Sequence, residues 1–436
     1  MHIQRVIIKD FRCFEHLEVN LDPDINIFVG NNGSGKSALL DGIAAAMFPY
    51  VVQIQKIVGK KQEALTVLKQ DLPAKQENNE QKTEAEFTVS ATGFPDWTII
   101  YKNIPAIHDN ERIGISGYSF VSQKGTQQLY STLSNNVKSR LSIIAYYKYN
   151  RNLTNIDNIQ NISNQVLDRF DAINYAFNAN AIGNFVSMVD WFFMREYEEL
   201  RQGKNRRDIN FELPDLKQIR KAISTIIAPN ARVYFSGATS AKLMVEWTME
   251  TGEKRELLLS QLSAGYRNML ALVMDFARRL AQANPEMENP LAAEAILMID
   301  ELDLHLHPTW QQKIIPDLKK VFPNTQIIAT THSPEVVTTV KQNQVWILED
   351  YQIKPCPEPT KGRKSSDIVR NVLGLNELRP DTEESRTLTQ LFEAIDNGQL
   401  EEAKRLKQEL QDWESFDPDM TRADMQIRRL ERRNAV

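Results

Sequence analysis

The stretch "INIFVGNNGSGKSALLDGIAAAMF", residues 25–48, limits the possible folds more than any other part of the chain, because it dictates the order of three elements. "INIFV" is short, rich in β-forming residues and preceded by an Asp-Pro turn, so it predicts a strand. "GNNGSGKS" follows with no spacer, and the small-residue, Leu-containing run behind it predicts a helix. Gly30 to Ser37 match G-x-x-x-x-G-K-[ST] without deviation. Gly30, Gly33 and Gly35 allow backbone N–H groups of Asn31, Asn32, Gly33, Ser34 and Gly35 to turn inward on a phosphate. Lys36 neutralises β and γ oxygens, Ser37 offers a hydroxyl to Mg²⁺, and Ala38 carries on the helix whose positive end faces the same charge.

Further along, the predicted strand "EAILMID" presents Asp300 and Glu301 at its end. Asp300 is placed to hold the Mg²⁺ shell through water, and Glu301 to orient or deprotonate the attacking water. The next buried strand, "TQIIATTH", ends on His332, whose neutral imidazole suits a γ-phosphate contact. Between the glycine loop and this acidic strand lies "LSAGYR", residues 262–267. That segment resembles the L-S-x-G-x signature of ABC-type ATPases, in which the Ser263 hydroxyl, the Gly265 N–H and a helix N-terminus would bind a γ-phosphate. The resemblance implies two copies meeting head to tail, each completing the other's ATP site.

Other residues leave their alternatives open. Asp303, His305 and His307 alternate in "LDLHLHP", which fits a metal less well than a loop crossing a dimer interface, since no distant ligand cluster accompanies them. Arg12 in "DFRCF" either reaches the nucleotide from the first hairpin or is solvated. The basic clusters "RQGKNRR", "KGRK" and Arg428, Arg429, Arg432 and Arg433 read as solvated faces rather than nucleic-acid sites, because aromatic residues do not interleave them.

Bulk properties narrow the class. At 436 residues, with 42% hydrophobic and 25% charged residues, the composition is that of a soluble globular protein. A net charge of −5 argues against coating nucleic acid over the whole surface. Cys13 and Cys356 cannot build a disulfide framework, and the N-terminus carries charges where a signal peptide needs apolar residues. The expectation is a cytoplasmic protein with no membrane partner.

Strands are expected at "HIQRVIIKDF", "HLEVNL", "AEFTVSAT", "DWTIIYKN" and "LSIIAYYKY", with a solvated helix end and loop over 59–82. From 152 to about 254 the pattern is mostly helical, with a strand pair near "ARVYFS" and "KLMVEWTM". The helix "WQQKIIPDLKKVF" is expected to bend or break at Pro316. Strands flanked by helices give an α/β fold: an ABC/SMC-type head with a mixed sheet, a helical signature lobe and a C-terminal helical appendage. The expected division is 1–150 with 291–355 as the ATP-binding core, 151–290 as the lobe carrying the signature, and 356–436 as a helical region. In that last region Leu388, Leu391, Ile395, Leu400, Leu406, Leu410 and Trp413 recur at near-helical spacing, fit either for partner docking or for internal packing.

The order of the glycine loop, "LSAGYRN", "LMIDELDLHLHP" and "IIATTHSPEVV" resembles the RecF/SMC-like branch of ABC ATPases that lack membrane domains. More narrowly, "LSAGYRNMLALVMDFARRL" and "IDELDLHLHPTWQQKIIPDLKKVFPNTQIIATTHSP" look like the PtuA ATPases of bacterial anti-phage systems, found in Septu and beside some retrons. That resemblance implies ATP with Mg²⁺, a homodimer or higher oligomer, an HNH nuclease partner, PtuB, and in the retron case a reverse transcriptase with its DNA–RNA product. Two features depart from it: "IAYYKYNRN" stands where a Gln-loop would, without a glutamine, and "YQIKPCPEPTKGRKSSDIV" is only loosely like the family's segment after the histidine. The missing acidic cluster of a C-terminal Toprim nuclease argues against the related OLD family and implies that nuclease chemistry comes from another chain. A RecF-like DNA-binding repair ATPase is the alternative function, and a nearly hydrolysis-dead scaffold held together by ATP is a third.

Overall fold

Parallel strands of the main sheet are buried on both faces, which is why they are near-continuous apolar runs rather than alternating ones. The computed structural model describes residues 1–60, 84–104, 117–136, 141–149, 168–179, 181–228, 230–236, 242–248, 251–375, 379–414 and 416–434. Most of the stretch 59–82, read above as a helix end and loop, lies outside them. The chain forms two compact units, Met1–Ile368 and Val369–Val436.

In the first unit, β3 (Ile25–Val29), β7 (Ile143–Tyr147), β11 (Ala295–Ile299), β12 (Thr325–Thr330), β13 (Val345–Glu349) and β14 (Gln352–Pro355) make a six-stranded sheet in the order β14-β13-β3-β12-β11-β7. Only the β13–β14 pairing is antiparallel. An antiparallel sheet, order β2-β1-β4-β5-β6, is built from β1 (Ile3–Phe11), β2 (Phe14–Asn20), β4 (Glu84–Ala91), β5 (Trp97–Ile104) and β6 (Gly117–Lys124). Gln326, polar in a buried strand, joins the two sheets: it accepts from the Ile3 N–H and donates to the Ile3 carbonyl, both at 2.8 Å.

The helix behind the glycine loop, α1 (Lys36–Ile57), runs well past the expected end at Phe48 and passes straight through Pro49. A mid-helix proline removes the bond to the carbonyl four residues earlier. That carbonyl, Ala45, accepts instead from the Tyr101 hydroxyl at 3.4 Å, and the Ala46 carbonyl accepts from the Trp97 indole at 2.9 Å. Cross-links from β5 therefore replace what the proline deletes. α1 is also the one described helix long and apolar enough to cross a membrane, and 83% of its apolar window is buried inside the protein.

α2 (Thr126–Asn136) follows the antiparallel sheet, and α3 (Ile182–Arg206) and α4 (Pro214–Ile226) come next, within the same compact unit as the sheets. β8 (Arg232–Phe235) and β9 (Leu243–Thr248) are the expected strand pair, but β10 (Lys254–Leu258) adds a third strand. α5 (Ala264–Ala283) is the helix behind "LSAGYR". Beyond β11, the expected long helix is two: α6 (Pro308–Gln311) and α7 (Ile314–Val321). The break falls at Gln312–Lys313, ahead of Pro316, which sits in the first turn of α7 where no intrahelical N–H is required. α8 (Pro334–Val337) and α9 (Ser365–Asn371) follow.

The second unit contains α10 (Glu383–Asp396), α11 (Leu400–Glu409) and α12 (Pro418–Asn434). Leu388, Leu391, Ile395, Leu406 and Leu410 are at most 5% exposed and share a core with Met420, Ala423 and Ile427, with Leu400 and Trp413 packed against it. The apolar spacing is thus used for internal packing. Truncating the fully buried Leu391 to Ala is expected to destabilise this unit by about 2–5 kcal/mol. Hydrogen exchange would show that loss as earlier opening of α10–α12; unchanged protection there would contradict the packing described.

Candidate nucleotide site

The glycine loop is held in shape before any ligand arrives. A Cβ at Gly30 would meet the Leu348 carbonyl oxygen at 2.3 Å, and Gly35 has φ +100° with a Cβ position 2.9 Å from Cys13 Sγ. Only glycine fits these positions. The buried Lys36 ammonium donates to the Gly30 and Asn31 carbonyls at 2.9 and 2.8 Å, closing the loop over itself. Burial lowers its pKa from the ordinary lysine value, against the upward pull of Asp300, Glu301 and Asp303. The Ser34 hydroxyl is buried without a hydrogen-bond partner among the described residues, a donor that a phosphate oxygen would satisfy.

The acidic pair emerges beside this loop because β11 runs parallel to β12 and β7, with Ile299 level with Ala329 and Tyr147. Asp300 is 1% exposed; its Oδ1 accepts from the Thr330 hydroxyl at 2.6 Å, and the same hydroxyl oxygen accepts from the Glu301 N–H at 2.8 Å. Thr330 thus fixes both residues of the turn. Glu301 itself has φ +51°, a left-handed conformation uncommon for a non-glycine residue and typical of functional turns. Asp303 accepts from the Thr331 hydroxyl and from the His332 N–H, the latter at 3.2 Å. Its carboxylate therefore ties the acidic turn to the histidine strand rather than facing His305 and His307. His307 caps α6, its Nδ1 3.0 Å from the Thr309 hydroxyl.

Lys36, Asp300, Glu301 and His332 share one electrostatic neighbourhood. Partial burial and then the Lys36 ammonium lower the His332 pKa from 6.5, opposed by Asp303, Glu301 and Asp300. The signature turn makes its own set of contacts. Ser263 caps α5, accepting from the Tyr266 N–H at 3.5 Å, and no hydrogen bond among the described residues joins 263–267 to the glycine loop. A Cβ on Gly265 would strike the His305 carbonyl oxygen at 2.3 Å, and the Tyr266 and Trp310 rings meet at 4.3 Å. The turn is packed against the loop that follows Glu301.

Arg12, left open between a nucleotide contact and solvation, pairs instead with a carboxylate, and residues that sequence reading did not assign join it there. Arg12 donates to Asp41 on α1 at 2.7 Å, Lys148 pairs with the same carboxylate at 3.1 Å, and burial together with that nearby carboxylate raises the pKa of Tyr146. Arg12 therefore braces the helix behind the glycine loop. Of the basic clusters, Arg201 pairs with Glu198, Arg206 stacks on Phe211 and Arg363 pairs with Asp367, whereas Arg428, Arg429 and Arg432 are exposed on α12.

A phosphate cradle after β3 and an acid turn after β11, at the carboxyl ends of parallel strands that both pair with β12, make this protein a P-loop ATPase. It belongs to the family described as AAA domain, putative AbiEii toxin, Type IV TA system, whose profile matches residues 25–338; an AAA ATPase domain profile also matches residues 1–48. The chain is 26% identical to the Retron Ec83 probable ATPase of Escherichia coli over 89% of its own length and 79% of that protein. It is 25% identical to the Retron Vc95 probable ATPase of Vibrio cholerae, over 94% and 86%. Against the Septu protein PtuA of Bacillus thuringiensis the identity is 32%, over 28% of this chain and 34% of that one. An SMC head crystallised with the C-winged helix domain of ScpA superposes with a TM-score of 0.45 and 15% identity, covering 84% of this chain and all of that one.

The environment of His332 is testable by titration. Its lowered pKa means the unfolded chain takes up this proton first as pH falls, so protonation of the site works against folding on the acid side of 6.5. An NMR titration of the imidazole should give a midpoint below that of a free histidine; a midpoint at or above it would refute the neighbourhood described.

Proposed function

We propose that ATP is bound and hydrolysed between two copies of the chain, each P-loop being completed by the Ser263 turn of the other. The observation that carries this reading is the packing of Gly265 onto the His305 carbonyl, which holds the signature turn against the loop after Glu301, while no hydrogen bond among the described residues joins it to its own glycine loop. A cap-like helix N-terminus with a free surface is suited to a γ-phosphate, and a twofold pair supplies one from the partner.

Gly30 to Gly35 and Lys36 would cradle the β and γ phosphates. The Ser37 hydroxyl and the Asp300 carboxylate are the hard oxygen donors that suit Mg²⁺, which supplies charge neutralisation on the phosphates when bound. Glu301, held by Thr330, orients water for in-line attack on the γ-phosphorus and takes its proton, leaving ADP and phosphate. Neutral His332 hydrogen-bonds the γ-phosphate and senses its presence.

We assign the chain to anti-phage defence in the cytoplasm, a role supported by its similarity to retron ATPases and to Septu proteins PtuA. In that role ATP-dependent association of the heads controls a partner nuclease of the HNH type, PtuB in Septu systems, and in a retron context the complex also holds a reverse transcriptase and its DNA–RNA product. Replacement of Glu301 by Gln should lower kcat by about 10²-fold or more while leaving ATP binding in place, and Ser263→Ala should lower kcat without abolishing binding at the P-loop. Turnover per chain should also rise with protein concentration. A chain that stays single and hydrolyses ATP at full rate would overturn the shared-site reading.

A further inference from the structure

Consecutive tyrosines end β7, and a strand sends consecutive side chains to opposite faces. Tyr146 addresses Asp41 on α1, behind the glycine loop. Tyr147 addresses the other face: its hydroxyl donates to Asp275 Oδ2 on α5 at 2.7 Å. The backbone of the same residue reaches the acid turn, its carbonyl accepting from the Asp300 N–H at 2.9 Å. One residue therefore bonds both the signature helix and the Walker-type acid, the position where the sequence carries no glutamine.

The far end of this link is rigid. Asp275 Oδ2 also accepts from Arg279 Nε and Asn184 Nδ2, each at 2.9 Å, and Arg278 pairs with the other oxygen. Arg279 donates onward to the Ala172 and Asn174 carbonyls at 2.8 and 2.7 Å. Tyr147, Asn184, Asp275, Arg278 and Arg279 are all at most 3% exposed. Burial would push the Asp275 carboxyl up, but Arg279 and Arg278 outweigh it and hold it at about 2, so it stays ionised. In a dry, close-packed interior, directional bonds of this kind transmit displacement instead of exchanging with water. Ser263 and Asp275 lie on one uninterrupted helix, about 18 Å apart along its axis.

We propose that Tyr147 is a positioning residue that couples the two nucleotide sites of the pair: load on the Ser263 turn, which serves the partner's ATP, is carried along α5 through Asp275 and Tyr147 to the Asp300–Glu301 turn that serves the chain's own ATP. This rests on the shared-site reading above. The link sets the geometry of the acid turn and makes no contact with nucleotide, so its loss acts on the chemical step rather than on binding.

The test uses the full-length protein with Tyr147→Phe, which keeps the ring and leaves Asp275 paired with Arg278, Arg279 and Asn184. Expected is a roughly tenfold fall in kcat with KM for ATP within about twofold and an unchanged melting temperature. Combining it with Ser263→Ala should cost clearly less than the product of the two single losses, because both cut the same line. A wild-type kcat for Tyr147→Phe, a joint loss of affinity and melting temperature, or strictly multiplicative effects in the double variant would overturn the coupling. Ser263→Ala run in parallel separates the failures. If it lowers kcat while Tyr147→Phe is wild type, only the coupling is wrong; if it leaves kcat intact, the shared-site reading falls and the coupling with it.

Discussion

The parallel register of β3, β12, β11 and β7 is the constraint on which the site depends. With Thr330 level with Phe28, and Ile299 level with both Ala329 and Tyr147, four strands end on one edge of the sheet. The glycine loop, the acid turn, His332 and Lys148 all leave from that edge. Ligands of open α/β sheets bind there because backbone groups at the strand ends have no further ladder partner and helix N-termini point the same way. A slip of one residue in the β11–β12 pairing would turn Asp300 or Thr330 to the opposite face and undo the bond between them.

Around this edge, charge is arranged by burial. Lys36 is folded onto its own loop's carbonyls with its pKa lowered, so the resting site already holds the cation where phosphate charge would arrive. On the far side of the sheet, Asp275 and two arginines form a compensated cluster that anchors α5. Neither arrangement is a cheap source of stability, since each buries ions that water would solvate well. Their value is in fixing positions: the first ties Lys36 to the carbonyls of its own loop, the second ties the helix behind Ser263 to Tyr147, on the strand next to the one that precedes the acid turn.

Local motifs were legible in the sequence because their chemistry is contiguous. The glycine loop needs eight adjacent residues, and the acid strand announces itself by an apolar run that ends in two carboxylates. What could not be read were contacts set by pairs distant in sequence. Tyr147 and Asp275 are separated by 128 positions, and nothing in "IAYYKY" distinguishes a packed tyrosine from a bonded one. The persistence of α1 through Pro49 likewise depends on Tyr101 and Trp97, which lie in another sheet. At Pro316 the residue was recognised as a breaker, yet its place in the first turn of α7 follows from where α6 ends. In the C-terminal unit the spacing of leucines identified an apolar face without saying what covers it; the chain's own helices do.

The central claim is that catalysis requires a loop from one copy and a turn from another, and mixing two inactive proteins tests it most directly. A Lys36→Ala chain lacks a working cradle, and a Ser263→Arg chain lacks a working signature, but a mixed pair contains one site with both parts intact. Equimolar mixing should restore about a quarter of wild-type turnover per chain, the value for random pairing with one active site in each mixed pair. Activity no greater than the sum of the two variants alone, under conditions where mixed pairs are shown to form, would contradict the account.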